Sequence, residues 1–177
     1  DPDYTYIIPT VTSYYDKLKT TLTQSQFSAD VKTAIANFNT TNLSRFGNKL
    51  RYSRFVRALD NINEAVLNTE VSLKIQKRFT PDVNQATKVS LKFSNALRAN
   101  SILSTGFTYN GFSAFFSDDG NGNIDIFRYN ENKVKTNIVT GAGTVNYSTG
   151  LVEVENFAPT AYSGIEIKVN AETISLD

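Results

Sequence analysis

From about residue 65 onward, apolar and polar residues alternate one by one. Val71, Leu73 and Ile75 alternate with Ser72, Lys74 and Gln76, and Val89, Leu91 and Phe93 alternate with Lys88, Ser90 and Lys92. Successive side chains of a strand point to opposite faces, so this period fits a sheet with one face buried and excludes a helix. Glycine, asparagine and aspartate divide the alternating runs, notably at 118–123 and at Ser148, Thr149 and Gly150. The pattern predicts a hairpin of Phe107–Phe116 with Ile124–Tyr129, then strands at Val134–Val139, Thr144–Tyr147, Leu151–Glu155 and Ile165–Val169. Together they make a mostly antiparallel β layer.

The first 62 residues read differently. Tyr4–Ile8 is a short β-type run stopped by Pro9. Tyr14–Leu22 has apolar residues at 14, 15, 18 and 22, a helical spacing. Ser28 is an N-cap candidate for a helix whose buried face holds Val31, Ala34, Ile35 and Phe38. Tyr52–Asp60 is a further helix, with Phe55, Val56 and Leu59 on one side. The expected class is α+β, with N-terminal helices packed with a β-rich C-terminal part. The expected division is a mixed helix/strand subdomain over 1–82 and a β-rich subdomain over 83–177.

The chemistry available is narrow. There is no His and no Cys, which removes the commonest general base and closes the Ser-His-Asp, Cys-His and thiolate-metal readings. Neither disulfides nor thiolate sites can form, and this fits a reducing compartment. Glu153 and Glu155 lie two apart on one strand face, opposite Val152 and Val154. That is the pattern of an ordinary solvent-facing strand more than of a catalytic carboxylate pair. The loop from Ser117 partly fits a calcium loop through Asp119, Asn121, Gly122 and Ile124. However, Ser117 stands at its first position and Arg128 where a bidentate acid is required. A plain turn is the better reading, because Asp, Asn and Gly tolerate positive φ. Gly141-Ala142-Gly143 has no Lys and no following helix, so it reads as turn glycine and not as a phosphate cradle. No catalytic residue, cofactor or metal site is expected, and the chain is not expected to be an enzyme. No apolar run approaches the roughly 18–20 residues of a membrane helix, and no signal-peptide pattern is present.

Charge is nearly balanced overall, with 18 Lys+Arg against 17 Asp+Glu, but it is unevenly spread. No acid occurs between Asp30 and Asp60, and this gap holds Arg45, Lys49, Arg51, Arg54 and Arg57 interleaved with Phe46, Leu50, Tyr52 and Phe55. From Gly141 onward, Glu153, Glu155, Glu166, Glu172 and Asp177 face one base, Lys168. The basic stretch has three readings: a nucleic-acid contact, a protein interface anchored by arginine and aromatics, or a solvated helix face over a core. A balanced chain of sequence pI near 8.1 lacks the wholly basic face of a nucleic-acid binder. The interface candidates are Arg45, Lys49, Arg51, Arg54, Phe55 and Arg57. The acidic C-terminal part could face this basic stretch between neighbouring copies, or each could be a solvated face.

Several passages, taken in order, resemble a known family. They are Phe38-Asn39, Asn42-Leu43-Ser44-Arg45-Phe46-Gly47, Arg51-Tyr52-Ser53-Arg54 and Phe79-Thr80-Pro81, then Phe107–Ile124 and Gly143–Val152. Together they resemble the baseplate wedge subunit of T-even-like contractile-tail phages, within the baseplate-J-like family, over most of residues 35–170. The resemblance implies a structural virion protein of the tail baseplate, assembled in the host cytoplasm. Contacts between copies and with other wedge proteins would build an inner ring, without nucleic acid, membrane or cofactor. Family members are much longer. With no Met anywhere and a start at Asp1-Pro2-Asp3, the chain is expected to be a C-terminal portion of a longer protein. The alternative is a host-surface or carbohydrate-binding β domain of a tail fibre or adhesin, using Tyr109, Asn110, Tyr147 and Tyr162 in its loops.

Overall fold

Strand β1 (Tyr6–Tyr15) runs straight through Pro9, where a break was expected. The structure is a computed structural model describing residues 4–44 and 50–175. Proline lacks an N–H, so a strand accepts it only where that donor has no ladder partner. This holds for β1, which lies at the end of its sheet with β2 (Val66–Phe79) as its one neighbour. Along β1, Val11, Ser13 and Tyr15 are half-buried while Thr10, Thr12 and Tyr14 are exposed. The period is two, and the helix expected over Tyr14–Leu22 is absent. Tyr15 closes the strand and stacks on Phe27 with ring centroids 4.4 Å apart. Leu18, needed for that helix's apolar face, is 96% exposed.

The expected α+β class is therefore corrected to a predominantly β fold. Among the described residues there are eleven strands and two α-helices, with one π-type turn at Asn39–Leu43. Helix α1 (Gln24–Phe38) starts earlier than expected, because Thr23 and not Ser28 is its N-cap. The Gln26 amide N–H donates to the Thr23 hydroxyl oxygen, and the Gln26 side chain accepts from the Thr23 amide. This reciprocal box satisfies N–H groups that the helix leaves orphaned. Helix α2 spans Tyr52–Asp60 as its apolar spacing predicts.

The chain forms two compact units. One is Pro9–Leu73, and the other combines residues 4–8 with Lys74–Ser175. In the first, Phe27, Phe38, Phe55, Leu59 and Ala65 are buried, and Phe38 meets Phe55 edge-on at 5.0 Å. The Tyr52 hydroxyl donates to the Val71 carbonyl at 3.1 Å, tying the start of α2 to β2.

The second unit is built from antiparallel pairs. After β2 its strands are β3 (Thr87–Lys92), β4 (Leu103–Ser104), β5 (Phe107–Tyr109), β6 (Phe112–Asp118) and β7 (Asn123–Tyr129). Next come β8 (Lys135–Asn146), β9 (Leu151–Phe157), β10 (Ala161–Tyr162) and β11 (Ile167–Ala171). The order across its sheet is β2-β11-β4-β6-β7-β8-β9-β3, with β5 branching from β6 and carrying β10. Asn110 and Gly111, at φ of 49° and 79°, form the two-residue turn between β5 and β6, the geometry an Asn-Gly pair favours. Gly141–Gly143 is not a turn as expected but part of β8. Phe107, Phe116 and Phe157 form the aromatic centre of the core, with centroids 4.7–5.0 Å apart.

Candidate assembly interface

Helix α2 has two sharply different sides. Phe55 and Leu59, one turn apart, are buried, while Arg51, Arg54 and Arg57 are exposed. Residues three and four apart lie on neighbouring positions of a helix, so Arg54 and Arg57 stand side by side on the solvent face. Arg51 is the N-cap residue, in extended conformation and without a side-chain capping bond. Arg57 lies in the last turn, where its charge complements the helix dipole. Among the described residues, none of the three arginines forms an ion pair. Phe55 faces inward, so within this unit it supports the arginine face from beneath. Arg45 and Lys49 lie outside the described residues.

The acids of the C-terminal part are in a different state. Lys88 Nζ lies 3.0 Å from Glu153 and 2.9 Å from Glu155. Arg78 binds Glu166 at 2.9 Å, and Glu172 is shared by Arg98 at 3.4 Å and Lys74 at 3.8 Å. Each of these four glutamates already has a base within its own chain. By contrast Asp60, Glu64 and Glu70 are exposed and, among the described residues, form no ion pair. Sequence position had suggested an acidic C-terminal face, but strand pairing brings the bases of β2 and β3 beside it.

The same pairing accounts for the Glu153–Glu155 row. Glu155 first, then Glu153, hold the Lys88 ammonium above its ordinary pKa by hydrogen bonding. A lysine shared between two carboxylates makes an exposed cross-strand cluster. Asp119 is also committed: its carboxylate accepts from the Asn123 side chain at 2.7 Å, and from the amides of Asn121 at 2.7 Å and Asn123 at 3.0 Å. Among the described residues no group of three potential metal-ligating side chains occurs, and no helix is long and apolar enough to cross a membrane.

These bonds to Asp119, the Asn123 side chain foremost, favour its ionised form and hold its pKa below the ordinary aspartate value. A depressed carboxyl pKa stabilises the fold above the unfolded-state pKa, and that contribution disappears as pH falls through the folded-state pKa. A carboxyl-detected NMR titration is expected to place the Asp119 midpoint below that of an unstructured aspartate. Asn123→Ala should raise it, and an unchanged midpoint would show that the turn does not hold the carboxylate.

Sequence reasoning missed Asp118. It is buried and accepts from the amides of Asn100 and Ile102 and, at 2.7 Å, from the Tyr147 hydroxyl. Burial, and then the neighbouring Asp118, push the Tyr147 phenol well above its ordinary pKa, so it remains a donor. One signal was available: Asp118 is two residues from Phe116, hence on the core face of β6. Of the loop residues considered for sugar binding, Tyr109 packs against the core and Tyr147 is engaged with Asp118. Tyr162 lines an open cleft of about 650 Å³ with Arg78, Ser113, Glu166 and Lys168.

Residues 3–78 match the family of baseplate structural protein gp6, C-terminal domain III. The matched segment is rather less than half the chain and contains β1, α1, α2 and nearly all of β2. It includes the basic stretch, whereas Phe107–Ile124 and Gly143–Val152 lie outside it. No curated protein matches the chain. The family match supports a structural protein of a phage-tail baseplate.

Proposed function

We propose that this structural protein of a phage-tail baseplate works by docking the arginine face of α2 against an acidic surface of a neighbour. The carrying observation is that Arg51, Arg54 and Arg57 are exposed and form no ion pair among the described residues, in a segment that matches a baseplate structural domain. Arginine is well suited to such contacts, because its planar fork binds carboxylates through two hydrogen bonds. A chain with no His, no Cys and no metal-ligand cluster among its described residues is well suited to a purely mechanical role. In this reading the chain belongs to the wedge and inner ring of a contractile tail and contacts both copies of itself and other wedge proteins. Contacts between copies are supported by Asp60, Glu64 and Glu70, exposed acids of the same unit that form no ion pair among the described residues. Glu153 and Glu155 of β9, and Glu166 just before β11, are poorer partners, since lysine and arginine already occupy them.

Analytical ultracentrifugation tests this. The unaltered chain is expected to associate with rising concentration, more weakly as salt is added, because exposed charges are screened within about 10 Å at 0.1 M. Arg54→Glu combined with Arg57→Glu should leave a monomer at concentrations where the parent is mostly associated, with an unchanged circular dichroism spectrum. Equal association of parent and double variant would remove α2 from the interface.

A further inference from the structure

We infer that the open cleft beside β5, β10 and β11 takes a carboxylate carried on an extended segment of a neighbouring protein. The inference begins with register. Lys168 on β11 lies directly opposite Arg78 on β2, so two cations share one face as cross-strand neighbours. Like charges so placed repel one another. Among the described residues of the lining Glu166 is the one acid, and it binds Arg78 at 2.9 Å. Arg78 is committed further: its Nε donates to Gln76 at 2.7 Å, and its guanidinium lies 3.7 Å from the centre of the Tyr6 ring. Gln76 in turn donates to Asn170 at 2.8 Å. This bonded row fixes Arg78 and Glu166 and leaves Lys168 with no ion pair among the described residues.

The rest of the lining is rich in donors. The hydroxyls of Ser113 and Tyr162 border the same space. A cleft with one uncompensated cation and several hydroxyl donors selects a ligand that accepts hydrogen bonds and bears negative charge. Its size of about 650 Å³ admits a side chain and its flanking backbone. The edge geometry favours a polypeptide as the carrier. The two-residue β10 pairs with β5 on one side and with no described strand on the other, so an extended segment can add to that edge. Sugars are usually held on aromatic platforms, and among the described residues Tyr162 is the one aromatic side chain besides the core residue Phe107 in the lining. The inference rests on the structural role proposed above, but it concerns a different surface from α2.

The test is an array of random heptapeptides probed with the fluorescently labelled chain. Selected peptides are then measured in solution by anisotropy, beside glucuronate and N-acetylneuraminate as free acids. Bound peptides are expected to be enriched in Asp and Glu. An Asp-to-Asn change in the peptide should weaken binding about tenfold, as should Lys168→Gln in the protein, while Lys92→Gln at the exposed last position of β3 leaves binding unchanged. The Arg54→Glu, Arg57→Glu variant should bind the peptides normally, so loss of the α2 contact and loss of the cleft site are read separately. No acidic enrichment, indifference to Lys168→Gln, or binding of the free sugar acids without any acidic peptide would each overturn the inference.

Discussion

Phe157→Ala is expected to lower the unfolding free energy of the β-rich unit by about 3–5 kcal/mol, the range for removing a large aromatic from a packed core. Phe157 is fully buried at the end of β9, and its ring meets Phe79, Phe107, Tyr109 and Phe116. These partners come from β2, β5 and β6, so deleting the ring loosens contacts among strands far apart in sequence. The surrounding side chains are rings packed edge-on, tilted or stacked against it, and they collapse poorly into a void. Phe157→Leu retains most of the volume and should cost clearly less, about 1.5 kcal/mol or below. Urea unfolding followed through the amide NMR signals of β6 and β9 reads this unit alone. A loss under 1 kcal/mol for the alanine variant would show that the aromatic centre is not where the stability lies.

Gly143→Ala is expected to cost about 3 kcal/mol, from overpacking together with lost ladder hydrogen bonds. Gly143 pairs with Val154 across β8 and β9. A Cβ at this position would lie 2.0 Å from the Glu153 carbonyl oxygen and 2.8 Å from the Val154 Cα. Both are backbone atoms, so no rotamer change relieves the clash and the two strands must separate. Gly141 provides the contrast. Its φ is +66°, nothing lies within 4 Å of its missing Cβ, and its amide donates to the buried Asp125. Gly141→Ala therefore carries a left-handed backbone penalty of about 1–2 kcal/mol without a clash. Denaturant midpoints should fall in the order parent, Gly141→Ala, Gly143→Ala. The reverse order of the two variants would mean that β8 and β9 are spaced differently from the structure described.

Some of this could be read before any fold was known. Period-two runs placed β3 and β9 closely, because a half-buried strand must alternate whatever it pairs with. The apolar spacing of α2 located it at Tyr52–Asp60, because a helix buries one stripe. The Thr23–Gln26 capping box was present in the residues but overlooked in favour of Ser28. Local pattern misled at Tyr14–Leu22: two tyrosines and two leucines happened to fall at helical spacing, while the burial of Tyr15 against Phe27 decided for a strand.

The basic candidates were legible as composition, but their division of labour was not. Phe55 and Arg54 are adjacent in sequence and opposite in environment, the one buried and the other exposed. Likewise, five acids after Gly141 read as a charged face, yet Lys74, Arg78, Lys88 and Arg98 come to meet four of them.

The residue order alone settled which segments must alternate, where α2 would bury a stripe, and which chemistries lacked His and Cys, since these depend only on neighbours along the chain and on composition. Tertiary structure alone decided which charges remain unpaired, that Asp118 anchors Tyr147, and that Lys168 stands opposite Arg78. Those outcomes depend on strand register, which joins residues as far apart as Ile75 and Ala171. A local pattern specifies the face on which a side chain lies but not the residue it meets.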